Sequence, residues 1–436
     1  MKHGIRLMTL VLILASLCLL TGCTLGSSVD SLFTLPQLPE EYQELSMTLE
    51  TLLDEGYIYL TPTEGPNIES VQMVDLNGDG IKEVVALFQY NGDTTPLKVM
   101  IFQQNHGQFE RFCIIERAGA GIDSINYCDV TGDGVVELLI GWRGEDEKKT
   151  VSVYQLGRES LSLLESEYSE YIVEDIVGNG VPGLLLLREV QEELCVAEYY
   201  TWQTDIMRLS RSCRIDCQTD ALSRGSVVGG HVSGGKPAVF VTGVQGKDMA
   251  ITDILVCQGS ELVNAVPDGM IYRYCQLEPQ DIDGDGLTEI PCKAADAGDT
   301  DNASAKDTMV NWIRCDASGK TELATKTYHC QSYGWYITLP EEDWNGITVS
   351  SGDIISGENC AEFSLQGTPI AAIYSITCEN RESRGQMGDR FIIMRLPGTV
   401  YAAELYGEIS PDKEEISALR ESFSLIVNTW NSGGKE

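Results

Sequence analysis

One short acidic phrase occurs four times in this chain and constrains its fold more than any other feature. Each copy reads Asp-x-x-Gly-Asp/Asn-Gly and is followed by a run of apolar residues. A glutamate stands at the ninth position of the first, second and fourth copies, whereas the third has glycine there. The copies begin at Asp75, Asp129, Asp175 and Asp281. A phrase that recurs in this way points both to a ligand and to a repeated architecture.

The oxygen-bearing residues of the phrase have the spacing of a Ca²⁺-binding loop. Ca²⁺ takes six to eight oxygen ligands at about 2.3–2.6 Å, and such a loop supplies them from alternate positions and a backbone carbonyl. Glycines at positions 4 and 6 permit the positive φ that a tight loop requires. The predicted ligands are Asp75, Asn77, Asp79, the Ile81 carbonyl and Glu83; Asp129, Thr131, Asp133, the Val135 carbonyl and Glu137; and Asp281, Asp283, Asp285, the Leu287 carbonyl and Glu289. We therefore predict about three structural Ca²⁺ sites.

Two other interpretations compete with a calcium site. Segments rich in Asp and Gly also form turns without a metal, although three copies with one carboxylate spacing favour the metal. An EF-hand would need Glu at position 12 and flanking helices, but that position is Ala86, Ile140 or Cys292, and strand-like runs follow. The third copy has Val177 at position 3 and Gly183 at position 9, which predicts a turn that no longer binds an ion.

The spacing of the copies indicates the architecture. They recur about every 50 residues, and the last interval is about twice the others, which predicts a fifth, eroded copy at the glycine-rich residues 229–235. Apolar runs such as 84–88, 138–142 and 251–256 predict strands. A period of about 50 residues is the length of one four-stranded propeller blade. The chain is therefore predicted to be mainly β, a β-propeller of about five or more blades.

The loops Asp75–Glu83, Asp129–Glu137 and Asp281–Glu289 resemble those of FG-GAP/VCBS-type repeats, as in the calcium-bearing blades of integrin α-subunit propellers. The resemblance covers residues 60–325. It implies a propeller of FG-GAP-like blades at residues 59–328, in which each loop links two strands of a blade. It also implies that the bound Ca²⁺ is structural and rigidifies a blade edge.

The amino-terminal residues are expected to be a processing segment. Residues 1–23 combine a basic start, an apolar stretch too short to span a bilayer comfortably, and the lipobox Leu-Thr-Gly-Cys. Diacylation of Cys23 would place the protein on the cell membrane, lipid-anchored at its extracytoplasmic face. Residues 24–58 are expected to be a tether and a short helix, which we place at 40–55.

The carboxyl-terminal composition differs from that of the repeats, because the acidic loops cease near residue 329. Residues 329–436 are predicted to form a small α+β domain with strands near 369–377 and 391–404 and a last helix from Asp412 to Trp430. Its opening at residues 333–340 resembles that of Mog1/PsbP-like domains. Trp335, Trp344 and Trp430 are expected in its core. A second possibility is that this segment closes the propeller.

Charge and cysteine content exclude some functions. The formal net charge of −36 repels polyanions, so we expect no nucleic-acid partner. Of fourteen cysteines, Cys18 would leave with the signal and Cys23 would be lipidated. The remaining twelve permit disulfides outside the cytoplasm, but they contain no CxxC pair and their pairing stays open.

No recognisable catalytic motif occurs, and the identifiable carboxylates are assigned to the loops. The expected function is therefore a non-enzymatic recognition or scaffold protein of the bacterial cell envelope that binds a protein or glycan. The alternatives are a propeller-type glycoside hydrolase, whose paired carboxylates would lie about 5–10 Å apart, and a sensor lipoprotein that partners a membrane protein.

Overall fold

The apolar run after each acidic loop forms a buried central strand of an antiparallel sheet. A computed structural model of the protein is mainly β, and every paired strand in its named sheets is antiparallel. It describes residues 40–106, 108–157, 160–191, 194–246, 249–266, 270–294, 307–341, 346–407 and 411–426. The signal segment, Cys23, the tether to residue 39, Trp344 and Trp430 lie outside these residues.

The first three sheets share one plan, in which strands follow each other in chain order from one edge to the other. Sheet 1 contains β1 (Ile58–Tyr59), β2 (Val71–Val74), β3 (Glu83–Gln89), β4 (Leu97–Asn105) and β5 (Gln108–Arg117), with β1 and β2 both paired to β3. Sheet 2 contains β6 (Gly121–Cys128), β7 (Glu137–Arg143), β8 (Lys149–Gln155) and β9 (Leu161–Tyr168). Sheet 3 contains β10 (Glu170–Glu174), β11 (Gly183–Gln191), β12 (Leu194–Gln203) and β13 (Ile206–Ile215).

The last three sheets have five strands each. Sheet 4 contains β14 (Leu222–Val232), β15 (Lys236–Gln245), β16 (Met249–Gln258), β17 (Glu261–Asn264) and β18 (Met270–Arg273). Sheet 5 contains β19 (Ile290–Lys293), β20 (Asp307–Cys315), β21 (Thr321–Cys330), β22 (Trp335–Thr338) and β28 (Phe423–Leu425). Sheet 6 contains β23 (Ile347–Ile355), β24 (Glu358–Leu365), β25 (Thr368–Ile376), β26 (Phe391–Leu396) and β27 (Thr399–Leu405). Sheet 5 thus takes strands from both sides of the boundary expected at residue 329.

The central strands are continuously apolar because consecutive sheets cover both of their faces. In β7, Leu138 and Ile140 pack towards sheet 1, whereas Leu139 packs towards sheet 3. Representative contacts are Leu87, Ile101 and Ile125 between sheets 1 and 2; Val153 and Leu186 between 2 and 3; Leu187 and Val239 between 3 and 4; Phe240 and Ile290 between 4 and 5; and Trp335 and Phe363 between 5 and 6. Each sheet therefore packs against the sheets before and after it in the chain.

Helix α1 (Glu40–Asp54) covers the remaining face of sheet 1, as its apolar periodicity predicted. Leu45 and Leu49 pack against Val84, Ala86 and other residues of that face. The helix ends at Gly56, whose φ of 98° lets the N–H groups of residues 56 and 57 cap its last carbonyls. Among the described residues, no apolar cluster joins sheet 1 to sheet 5 or sheet 6.

The carboxyl-terminal helix is shorter than the sequence predicted. Helix α3 (Lys413–Ser422) begins at Asp412 with a capping box completed by Glu415. Residues 423–425 then form β28 instead of extending the helix, because pairing with β22 buries Phe423 against Trp335. The chain also has a short helix α2 (Arg381–Arg384) and a 3₁₀ turn at Thr219–Ala221. No helix in the described part of the chain is both long and apolar enough to span a bilayer.

The twelve cysteines from Cys113 to Cys378 are all free thiols in the described structure. Burial raises the pKa of several of them, for example Cys113 to about 11 and Cys275 to about 12. A thiol with such a pKa is almost entirely protonated near neutral pH and therefore reacts slowly. The seven buried cysteines behave as small apolar core residues in this structure.

His329 is a buried histidine on one face of sheet 5. Its side chain stacks on Tyr336 with ring centroids 4.9 Å apart, and neither ring nitrogen has a hydrogen-bond partner in the described structure. Burial lowers the pKa of His329 to about 4. A neutral imidazole is therefore the form that the folded protein accommodates.

Acid should weaken the fold through His329. Because the unfolded chain takes up the proton at its ordinary pKa of about 6.5, stability is fully present above that pH and falls as the pH drops towards 4. The expected total loss is about 3 kcal/mol. We expect His329→Phe to flatten this part of a urea-denaturation profile measured from pH 7 to 4, while the same change at exposed His231 leaves it intact. An unchanged slope in His329→Phe would show that other groups control acid sensitivity.

Candidate functional site

All four acidic phrases form the same turn, which joins two strands of one sheet in the first three copies and lies between the isolated bridge residue Gln280 and β19 in the fourth. The carboxylate of the first aspartate accepts hydrogen bonds from the N–H groups of both glycines, at 2.6–2.9 Å in every copy. The two glycines have φ of 74–85° throughout, a conformation that few other residues adopt without strain. The turn is complete in the third copy as well, so it does not by itself indicate a bound ion.

The fifth residue of each phrase positions the seventh. Oδ1 of Asp79, Asp133 and Asp285 accepts the N–H of Ile81, Val135 and Leu287, respectively, at 2.7–2.8 Å. The aspartates of the fourth copy converge most closely, because Asp281, Asp283 and Asp285 each offer an oxygen within 4.8 Å of the others. Oxygens bound to one Ca²⁺ at about 2.3–2.6 Å can lie that far apart.

The ninth-position glutamates distinguish the three complete loops from the third copy. Glu83, Glu137 and Glu289 are 3%, 0% and 0% exposed, although the rest of each loop lies largely at the surface. In each loop, Oε2 accepts the N–H of the second loop residue: Leu76 at 2.8 Å, Val130 at 3.0 Å and Ile282 at 3.3 Å. The other oxygen, Oε1, is left for a different partner.

The partner of this Oε1 differs among the loops. In the first loop it accepts the Asn77 amide at 3.1 Å. In the second and fourth loops it is buried and has no hydrogen-bond partner in the described structure. A buried carboxylate oxygen without a partner is costly, and an oxygen-coordinated cation would satisfy it. The converging aspartates of the fourth loop fit a hard cation such as Ca²⁺, whereas, within the described residues, the carboxylates of the first two loops and Glu289 do not join such a cluster.

Burial changes the acidity of these glutamates. It raises the pKa of Glu137 and of Glu289 to about 7, and it also raises the pKa of Glu83. Hydrogen bonds from loop N–H groups oppose the shift, and the neighbouring aspartates Asp133, Asp283 and Asp79 add to it. The ionised glutamates are thus destabilised where they stand, and a cation would stabilise them.

The third copy lacks the space that a ninth-position side chain needs. A Cβ built on Gly183 would lie 2.4 Å from the ring of Tyr199. Tyr199 is fully buried and donates its hydroxyl hydrogen to the Glu174 carbonyl at 3.0 Å. An aromatic ring therefore fills the space that a ninth-position side chain would need in the third loop.

The predicted fifth copy is a short hairpin. Residues 229–232 belong to β14, the turn follows at 233–235, and the expected strand at 237–241 lies within β15. Gly234 and Gly235 have positive φ. This turn joins the first and second strands of sheet 4, as the acidic loops do in sheets 2 and 3, but it carries no carboxylate.

A polar cavity of about 360 Å³ lies between β6 and β10, near the loop at 64–66. Three carboxylates line it: Glu64, Asp123 and Glu170. Lys149 forms ion pairs with Asp123 at 3.1 Å and with Glu64 at 3.4 Å. Burial is the main reason that the pKa of Glu170 is raised. Sequence reasoning missed this cluster, because its members are ordinary strand and loop residues that only the packing of sheets brings together.

No protein-family model matches the chain, and none of the curated proteins matches it either.

Proposed function

We propose that the protein is a lipid-anchored, calcium-binding β-propeller protein of the bacterial cell envelope that recognises a protein or glycan partner. The observation that carries this proposal is the buried ninth-position glutamate, present in three loops, where one of its oxygens accepts the N–H of the second loop residue. Such a carboxylate is held out of water with unused acceptor capacity, which a bound Ca²⁺ would use. Bound calcium would fix the loop's shape and neutralise part of its charge.

The order of the strands and the packing of neighbouring sheets support the proposed propeller-type blades. Sheets 1 to 4 consist of consecutive antiparallel strands, and neighbouring sheets pack face to face. In a propeller, the loops at one end of successive blades lie on a common face. Helix α1 covers the face of sheet 1 that a last blade would cover in a closed ring, so we propose an array of propeller-type blades that this helix caps at the amino-terminal end.

The exposure of the loop side chains supports the proposed role in partner recognition. Loop residues such as Asn77 and Asp79 are exposed, and they line an open cleft of about 670 Å³ that also includes Arg111 and Phe112. Loops held by a rigid sheet are common sites of partner binding. Calcium would act on recognition by holding these side chains in one arrangement.

The test combines anchoring and partner capture. Wild-type protein should partition into membranes, whereas Cys23→Ala should be released into the soluble extracytoplasmic fraction. Crosslinking from the membrane should capture the same partner in millimolar Ca²⁺ but not in EGTA, and a Glu83→Gln/Glu137→Gln/Glu289→Gln variant should resemble the EGTA sample. Equal capture in all three conditions would contradict a calcium-dependent recognition role.

A second candidate function is glycoside hydrolysis in the polar cavity. The observation that favours it is Glu170, whose raised pKa suits a general acid and which shares the cavity with Glu64 and Asp123. A glycosidase would lose activity on envelope glycans in both Glu170→Gln and Glu64→Gln. Wild-type protein without measurable glycan hydrolysis would exclude this candidate.

A further inference from the structure

The three complete loops differ at the residue that faces their buried glutamate from the next strand. The ladders pair Val84 with Phe102, Leu138 with Tyr154 and Ile290 with Ile313. One residue further along each antiparallel ladder, Glu83, Glu137 and Glu289 stand opposite Gln103, Gln155 and Arg314. Two loops therefore have a neutral amide at this position, and one has a cation.

Arg314 interacts with three predicted ligands of its loop. Its Nη2 lies 3.1 Å from Asp283 Oδ2 and 3.0 Å from Asp285 Oδ2, and its Nε lies 3.5 Å from Glu289 Oε1. The guanidinium group thus forms an ion pair with Glu289 Oε1, which has no hydrogen-bond partner among the described residues. The equivalent oxygen accepts the Asn77 amide in the first loop and has no hydrogen-bond partner in the second. Arg314 itself is only 20% exposed, so water screens these ion pairs incompletely.

A guanidinium group and Ca²⁺ cannot both make close contacts with these oxygens. Ca²⁺ requires the carboxylate oxygens at about 2.3–2.6 Å. Arg314 donates a hydrogen bond of 3.1 Å to Asp283 and forms an ion pair of 3.0 Å with Asp285. Binding of the metal would have to displace the positive charge of Arg314 or accept repulsion from it. The apparent Kd for Ca²⁺ equals the intrinsic Kd divided by the fraction of molecules in which Arg314 has left the site.

We propose that Arg314 is an internal counter-ion that makes the loop at 281–289 a weak, conditional calcium site, whereas the loops at 75–83 and 129–137 are filled at lower calcium. This inference rests on the proposed calcium binding and deepens it. Loop 281–289 has four acidic side chains among its predicted ligands, whereas the other two loops have three each. With Arg314 displaced, these four carboxylates should bind Ca²⁺ tightly. The loop can therefore interact either with the Arg314 guanidinium group or with Ca²⁺.

The decisive measurement is a CaCl₂ titration by calorimetry, using the full chain with Glu83→Gln and Glu137→Gln so that only loop 281–289 remains. In this background, Arg314→Gln recreates the amide found in the other two loops. We expect it to lower the Kd at least tenfold. Arg395→Gln, which removes a positive charge from an exposed ion pair with Glu382 elsewhere, should leave the Kd unchanged.

A reciprocal substitution in another loop distinguishes the effect of the positive charge from a folding defect in Arg314→Gln. In an otherwise wild-type chain, Gln103→Arg should weaken the site at loop 75–83 at least tenfold, and thermal unfolding in EGTA should verify that both variants fold. An unchanged or raised Kd in Arg314→Gln, or full affinity in Gln103→Arg, would overturn the role of Arg314 while leaving calcium binding intact. No heat of binding in any variant, including wild type, would instead overturn the proposed function.

Discussion

Saturating Ca²⁺ is expected to raise the midpoint of thermal unfolding by roughly 10–20 °C relative to EGTA. A ligand at one hundred times its Kd stabilises the folded state by about 2.7 kcal/mol per site, and we expect at least two loops to be filled. One kcal/mol shifts the midpoint by about 2–4 °C in a domain of 150–250 residues. Differential scanning calorimetry in millimolar CaCl₂ and in EGTA, at one ionic strength, measures the effect.

The loop glutamates should account for this shift. Glu137→Gln keeps the shape of the side chain but removes the charge from a loop whose Oε1 lacks a hydrogen-bond partner in the described structure, so it should remove about half of the calcium-dependent shift. Glu145→Gln makes the same charge change at an exposed residue outside the loops and should retain the whole shift. Identical midpoints in CaCl₂ and EGTA for the wild type would refute calcium binding by these loops.

Glu358→Gln is expected to destabilise the protein by about 3–5 kcal/mol, the usual cost of removing one partner from a buried ion pair. The Glu358 carboxylate is fully buried in sheet 6, where it forms ion pairs with Arg384 and Arg390. Burial alone would raise its pKa, but hydrogen bonds from the two guanidinium groups outweigh that effect and keep the pKa below its usual value. Arg390 also stacks over the Tyr374 ring at 3.6 Å. Without the carboxylate, a largely buried positive charge is left without compensation.

Urea denaturation followed by fluorescence should detect this loss as a lower midpoint. Glu382→Gln provides a matched control, because Glu382 forms an ion pair with Arg395 in which both side chains are more than half exposed. Such a pair contributes about 0–1 kcal/mol, so the control should unfold close to the wild type. Equal effects of the two substitutions would mean that the Glu358 cluster does not hold sheet 6 together.

The features that the sequence predicted well are those encoded within a few residues. The turns follow from Asp and Gly at fixed spacing, and the strands follow from the apolar runs after them, such as Leu184–Leu187 in β11. The helix at residues 40–54 follows from its periodicity and from Gly56. In each case, the residues that determine the structure are neighbours in the chain.

The features that the sequence did not predict depend on pairing between distant segments. Arg314 lies far from the loop at 281–289 in the chain and reaches it only through the register of β19 and β20. Tyr199 fills the third loop from β12. The last helix ends early because Phe423 pairs with β22, about ninety residues upstream. Periodicity alone could not distinguish Phe423 and Leu425 on a strand from the same residues on a helix.

The position of β28 has a consequence for how the chain folds. Sheets 1 to 4 pair only strands that are close in sequence, and α1 can cover sheet 1 as soon as that sheet forms. Such local contacts form quickly, and an amino-terminal segment can fold while later residues are still being synthesised. Sheet 5 is different, because β28 pairs with β22 and follows all the strands of sheet 6 in the chain. Strand β22 is therefore an unpaired edge until the residues of sheet 6 and β28 have been synthesised. The edge of β22 is therefore the last to be closed, and it is where an incompletely synthesised chain would be most prone to pair with another copy.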